Sequence, residues 1–241
     1  MKSVYQPTLD KTPPGIHLGC GLLESCHPAG KLLGGSEEQN ALGCRRTFAK
    51  RGAHLYESGD PIRSIYSVIA GSFKTYTVTE TGEEQILGFY MRGAIMGLDA
   101  MATGHYPTSA IAMVDSRVCI VSAECLEQHC AQDTSVAKRI QIAMAREINT
   151  QQRMMLALGS KTAEERVTSF LVELAATYFA LGYSSSDMNM LMTRAEIGSY
   201  LGLKLETVSR VLSNLQDRQL LAVHQKHVRI LDSAGLKRLT G

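Results

Sequence analysis

Residues 193–221 read TRAEIGSYLGLKLETVSRVLSNLQDRQLL, two short helical patterns joined at a glycine. Thr193 and Glu196 have the T-x-x-E spacing of a capping box, which starts the first helix by giving an orphan backbone N–H a side-chain acceptor. Gly202 supplies the turn. Ala195, Ile197, Leu201, Leu203, Val208, Val211, Leu212 and Leu215 form apolar faces that pack the two helices together. That leaves Glu206, Ser209 and Arg210, at i, i+3 and i+4, on one polar face of the second helix. This chemistry suits the major groove: an arginine donates twice to guanine O6 and N7, a glutamate accepts from cytosine N4, and a serine approaches either base or a thymine methyl. The plain alternative is an i, i+4 acid-then-base pair, which stabilises any exposed helix by a few tenths of a kcal/mol.

The charge around this unit supports a phosphate partner more than the charge of the whole chain does. The 241 residues carry a formal net charge of +2, but 193–230 hold six basic residues (Arg194, Lys204, Arg210, Arg218, Lys226, Arg229) against three acids (Glu196, Glu206, Asp217). Thr193, Arg194, Lys204 and Thr207 are the candidate phosphate contacts, with double-stranded DNA as the partner. A hydrophobic content of 44% is enough to bury a full core, in two domains at this length. No apolar run reaches the roughly 18 residues that span a bilayer, and the first residues lack a basic-then-apolar leader, so the expectation is a cytoplasmic protein without membrane contact. In that compartment the six cysteines read as thiols, metal ligands or core fillers rather than disulfides.

Upstream, residues 134–158 turn helical, and Met144, Ile148, Gln151, Met155 and Leu158 are spaced 4, 3, 4 and 3, a heptad seam for pairing two copies. An amphipathic helix packed on its own domain has the same pattern. A second helix over 163–181 ends at Gly182, 183–189 is polar and loop-like, and AVHQKHVRILD (222–232) alternates like the hairpin wing of a winged helix. Between about 48 and 123 lie short β-rich runs punctuated by glycine, HLYESGD, SIYSVIAGSFKTYTVTETG, EEQILGFYM, GAIMGL, TSAIAMV and RVCIVS. Turns at Gly59-Asp60, Gly71 and Thr81-Gly82 argue for an antiparallel roll or barrel. The first 46 residues are Gly- and Pro-rich, with cysteines at 20, 26 and 44.

A glycine-punctuated roll, one long seam helix and a winged helix-turn-helix, in that order, resemble the CRP/FNR family, that of the bacterial cyclic AMP receptor protein and the fumarate and nitrate reduction regulator. The segments carrying the likeness are TETGEEQILGFY, SKTAEERVTSFL and MTRAEIGSYLGLKLETVSRVL. The E-x-x-S-R of the last looks closest to the oxygen-responsive branch. The resemblance implies an α+β fold: an N-terminal segment (1–46), a cyclic-nucleotide-binding-like antiparallel β-roll (47–130), a dimerisation helix (131–158) and a winged helix-turn-helix (159–241). It also implies a homodimer on a palindrome with TTGAT-like half-sites, its two recognition helices about 34 Å apart. The output would be control of transcription through RNA polymerase, with the turn Thr81-Gly82-Glu83-Glu84 as a contact.

The sensor chemistry departs from the family pattern. Where the cyclic-nucleotide branch has G-E-L and R-S-A, this chain has Gly97-Leu98-Asp99 and Thr108-Ser109-Ala110. Leu98 cannot bond a ribose and Thr108 cannot neutralise a phosphate, which argues against cyclic AMP. The oxygen branch binds a [4Fe-4S] cluster through C-x2-C-x5-C and a cysteine in the roll. Here the pattern is H-x2-C-x5-C, with His17, Cys20, Cys26 and Cys119 as the candidate set and Cys44 as a second choice for the fourth ligand. A cysteine on a strand is otherwise a core residue, and Cys125 and Cys130, on an expected helix, have no family counterpart. The seam aspartate of the resembled regulators corresponds to Gln151, whose neutral amide removes a like-charge repulsion and implies easier dimerisation. Alternatives are haem in the roll, through His105 or Cys119, and a cyclic-nucleotide module of a signalling enzyme. No nucleophile elbow, phosphate loop or acid–base carboxylate pair points to catalysis.

Overall fold

The computed structural model describes residues 45–241 together with the backbone of Ile16–His17. Two sheets build the roll. One is ordered β2 (Arg45–Ala49), β9 (Ser116–Ser122), β4 (Ser64–Ala70), β7 (Ile95–Met96); the other is β1 (Ile16–His17), β6 (Glu84–Met91), β5 (Ser72–Val78), β8 (Ser109–Ala112), β3 (His54–Tyr56). All pairings are antiparallel except that of β1 with β6. Between the sheets lie Tyr56, Tyr66, Val68, Phe73, Tyr90, Met96, Ala110 and Val118. Gly71 has φ 90 between β4 and β5, and an added Cβ there would sit 2.1 Å from Ser116 Oγ, so the turn admits no side chain.

Strand periodicity then distributes the outward residues. On β9, Val118 faces the roll interior, whereas Cys119 and Val121 face a helical layer of Leu126, Val136 and Ile140. Those helices are α1 (Ala123–Gln132) and α2 (Thr134–Ser160), the second close to the expected seam helix. On β6 the alternation is broken: Thr75 pairs with Gly88 and Tyr76 with Ile86, so Leu87 is an extra, bulged residue. The bulge brings Ile86, Phe89 and Met91 onto one outward face, where with Tyr76 they join the core of the C-terminal domain.

That domain consists of α3 (Ala163–Ala180), β10 (Asp187–Asn189), α4 (Arg194–Leu201), α5 (Leu205–Asp217), the wing strands β11 (Leu221–His224) and β12 (His227–Ile230), and α6 (Ser233–Arg238). Phe89 of the roll, Phe170 of α3 and Tyr200 of α4 meet with centroids 5.2 to 6.2 Å apart. Around this aromatic contact Ser199 Oγ accepts from Ile86 N at 2.9 Å and donates to Glu84 O at 2.8 Å. Lys74 Nζ lies 3.2 Å from Glu84 and 3.1 Å from Glu196. Burial opposes the Lys74 charge, but the two carboxylates more than compensate and hold its pKa above the usual lysine value. The roll and the helix-turn-helix thus share one core. The polar reading of 183–189 missed β10, because only Met188 of its three residues is buried.

Two side chains define the junction of α2 with this domain. Arg166 donates from Nε to Lys161 O (3.0 Å), from Nη2 to Leu158 O (2.8 Å) and from Nη1 to Leu201 O (3.1 Å). It therefore ties the carbonyl ends of α2 and α4 to the first turn of α3. Glu173 is partly buried nearby. Burial pushes its carboxyl up to about 8, with Arg153 and Lys161 pulling the other way. Because the folded state holds this proton more tightly than the unfolded chain, its contribution to stability is full below the unfolded value of about 4.5. It is lost progressively as pH rises to about 8. Glu173→Gln is therefore expected to match the wild type near pH 5 and to exceed it by about 2 kcal/mol, or about 5 °C in Tm, at pH 8.5. Thermal melts at the two pH values check this, a constant difference counting against it.

Candidate nucleic-acid interface

The first helix of the 193–221 unit starts as its capping box dictates. Thr193 Oγ1 accepts from Glu196 N at 3.1 Å, and Glu196 Oε2 accepts from Thr193 N at 2.7 Å. Burial works to raise the Glu196 pKa, but the Thr193 N–H and Lys74 outweigh it and hold the carboxyl below its usual range. Gly202 ends the helix at φ 63 in the left-handed region, and Leu203 N returns to Gly198 O at 2.8 Å. Gly198 is equally constrained, since a Cβ there would lie 2.6 Å from Leu203 O, inside the turn itself.

Helix α5 then buries Val208, Val211, Leu212 and Leu215 and turns its other side outward. Glu206 and Arg210 are exposed and Ser209 is half-buried. Neither Glu206 nor Arg210 is held in an ion pair among the described residues, so the face is not closed by the pair that would explain it away. The candidate phosphate residues divide. Lys204 is exposed at the N-cap of α5 and Thr207 is half-buried one turn along. The Thr193 hydroxyl is engaged in its capping box, and Arg194 Nη1 donates to Ser209 Oγ at 3.3 Å, a link between the two helices that spacing alone did not suggest. Beside them the wing closes a three-stranded sheet, β10-β12-β11, with Asp187 bonded to His227 and Arg229. Those partners, the His227 hydrogen bond foremost, hold the Asp187 carboxyl below its usual range.

On α2, Ile148 and Met155 are 57% and 72% exposed and Leu158 and Leu156 are also open, while Met144 and Gln151 are half-buried. An apolar stripe left this bare on a long helix is an unfilled packing surface. The Gln151 amide donates to Glu147 Oε1 at 2.8 Å.

Cys119 is buried beneath α1 and α2 and disulfide-bonded, whereas Cys125 and Cys130 form no disulfide. This differs from the expectation of unbonded thiols. The backbone of His17 pairs with Tyr90 in the five-stranded sheet, and Cys119 belongs to the other sheet. The His17 side chain and Cys20, Cys26 and Cys44 lie outside the described residues. No group of three or more His, Cys, Asp or Glu side chains suited to a metal ion occurs among the described residues. His105 is exposed in a loop bridged to Pro61. Inside the roll, Tyr56 stacks on Tyr106 at 4.0 Å, and Thr108 is buried with no hydrogen-bond partner for its hydroxyl. No helix among the described residues is long and apolar enough to cross a membrane.

Comparison with known proteins gives two domain matches, the Cyclic nucleotide-binding domain over residues 46–133 and the Crp-like helix-turn-helix domain over residues 165–239. The chain is 39% identical over 222 residues to the transcriptional activator protein anr of Pseudomonas aeruginosa, covering 92% of this chain and 91% of that one. It is 38% identical over 231 residues to the transcriptional regulatory protein btr of Bordetella pertussis (95% and 96%). It is also 38% identical over 197 residues to the fumarate nitrate reduction regulatory protein of Klebsiella oxytoca (82% and 79%). Among solved structures, FixK2 from Bradyrhizobium japonicum superposes with a TM-score of 0.75 at 30% identity, over 82% of this chain and 98% of that one.

Proposed function

Since the chain belongs to the CRP/FNR family of DNA-binding transcription regulators, in the likeness of its fumarate and nitrate reduction branch, we propose that it binds a TTGAT-like palindrome as a homodimer and controls transcription in response to oxygen or redox state. It is a regulator and not an enzyme. The observation that carries the proposal is the open Glu206–Ser209–Arg210 face on α5, unpaired by any ion bridge among the described residues and projecting from a domain that shares its core with the roll. Glu206, Ser209 and Arg210 read bases, and Lys204 and Thr207 face the phosphates, with Thr193 engaged in its cap behind them and the Arg194 guanidinium turned to Ser209. The bare stripe of Ile148, Met155 and Leu158, flanked by Met144 and Gln151, is the surface on which two copies pair. The roll turn Thr81-Gly82-Glu83-Glu84, exposed throughout, is the proposed contact with RNA polymerase. The division into N-terminal segment, roll, dimerisation helix and DNA-binding domain belongs to the same reading.

For the signal, His17, Cys20, Cys26 and Cys119 would hold a [4Fe-4S] cluster, an oxygen-labile redox centre when bound. The donor chemistry suits it, with three sulfurs and an imidazole. Of these four, Cys119 is the one whose side chain is described, buried on the helix-facing side of its sheet, and it would have to be a thiolate to serve as a ligand. A nucleotide is disfavoured by Leu98, by Thr108 and by the tyrosines stacked inside the roll. The test is purification under strict anaerobiosis followed by titration of a labelled TTGAT palindrome. Iron and acid-labile sulfide in equal amounts, an absorption band that bleaches in air, and binding lost with the bleaching are expected. Iron-free protein that binds the palindrome equally in air and without it overturns the oxygen response.

A further inference from the structure

We propose that Arg194 is a positioning residue for base recognition: by donating to Ser209 Oγ it fixes that hydroxyl as a hydrogen-bond donor toward DNA. The inference rests on the reading of the α5 face as the base-contacting one and assigns to Arg194 a role different from phosphate binding.

A serine hydroxyl is ambiguous in recognition, because it can donate one hydrogen bond and accept two. On a helix it is commonly turned back on the chain, donating to the carbonyl one turn earlier. Ser160 and Thr177 of this protein do so, to Leu156 O at 2.7 Å and Glu173 O at 2.9 Å. Ser209 does not. Its oxygen instead receives Arg194 Nη1 at 3.3 Å, from the first residue of the neighbouring helix. A guanidinium has no acceptor atom, so in this contact the serine oxygen must be the acceptor and its own proton stays free to point elsewhere. The positive charge beside it also disfavours a base edge that presents N–H groups. With its proton free and a positive charge beside it, the hydroxyl favours an acceptor, thymine O4, guanine O6 or N7, or adenine N7, over the cytosine N4 amine. Arg194 can do this because the capping box at Thr193 fixes where α4 begins, and because Gly198 and Gly202 bring α4 and α5 together at the turn.

The experiment measures binding of the full dimer to a palindrome and to variants carrying each base pair in turn at every half-site position. Wild type, Arg194→Ala, Arg194→Gln, Ser209→Ala and the double variant Arg194→Ala with Ser209→Ala are compared at several salt concentrations. Ser209→Ala should abolish a preference of about tenfold at one position of the half-site. Arg194→Ala should flatten the preference at that same position to about twofold, the double variant should lose no more than Ser209→Ala alone, and Arg194→Gln, which keeps an N–H donor without the charge, should retain part of it. The salt dependence of binding should be unchanged. An equal loss on every sequence, with the slope of log affinity against log salt falling by about one for each protomer, would mark Arg194 as a phosphate contact and overturn the proposal. If Ser209→Ala alters no single position, both the proposal and the Ser209 reading fail. If the wild type shows no sequence preference at all, the base-contact reading fails outright. Alanine is well accepted at a first helical position, so an unchanged melting temperature separates these outcomes from unfolding.

Discussion

Arg210→Ala is expected to lower affinity for a TTGAT palindrome by about a thousandfold while leaving binding to scrambled DNA within a few fold. A bidentate arginine–guanine contact discriminates by about 1–3 kcal/mol, and a two-fold dimer makes it twice, so about 2–6 kcal/mol is lost from the specific complex alone. The folded domain has little reason to respond. Arg210 is exposed, while its neighbours Val211 and Leu212 hold α5 to the core. Fluorescence anisotropy titrations of both DNAs at one salt concentration give the answer, read beside a thermal melt. Parallel losses on both DNAs would reduce Arg210 to an electrostatic contact.

The second large effect concerns α2. With Ile148 and Met155 both changed to glutamate, the protein is expected to sediment as a monomer at micromolar concentration and to lose palindrome binding. Burying an aliphatic or methionine side chain is worth about 1.5–3 kcal/mol, and in the proposed dimer four such side chains would meet across the two-fold axis. Even half of that total raises the dissociation constant about a hundredfold, and the glutamates add repulsion across the same axis. Since Ile148 and Met155 are 57% and 72% exposed in the single chain, the protomer itself should melt as before. A dimer that survives both glutamates would place the pairing surface elsewhere. Gln151 sharpens the comparison: its amide is bonded to Glu147 along the helix, so a wild-type dimer without cofactor would fit a seam in which position 151 itself brings no charge to the axis.

Much of this architecture is legible in the residues because local rules and the tertiary structure agree. The capping box at Thr193, the left-handed Gly202 and the four buried positions of α5 follow from spacing alone. So does the long helix, since a heptad pattern survives whether or not a partner is present. What spacing hides is contact between segments distant in sequence. The Leu87 bulge has no signature in EEQILGFYM, yet without it Ile86 and Phe89 would face opposite sides of the sheet and the roll could not share a core with Phe170 and Tyr200. The Arg194–Ser209 bond is hidden for the same reason, as arginine beside a helix start reads first as a phosphate ligand. The sensor is legible only as a list of donors: one of them, Cys119, is placed by strand alternation on the helix-facing side of its sheet, and the rest depend on residues before Arg45.

Arg166 has a mechanical consequence. Its guanidinium clasps carbonyls at the ends of both α2 and α4, so the two helices cannot swivel independently there. In a pair joined along α2, the recognition helices then behave like teeth keyed to one shaft. One residue added between Leu158 and Lys161 would advance the key by about 100° and 1.5 Å. The two reading heads would then be out of phase with the turn of the DNA, although every contact within the heads survived.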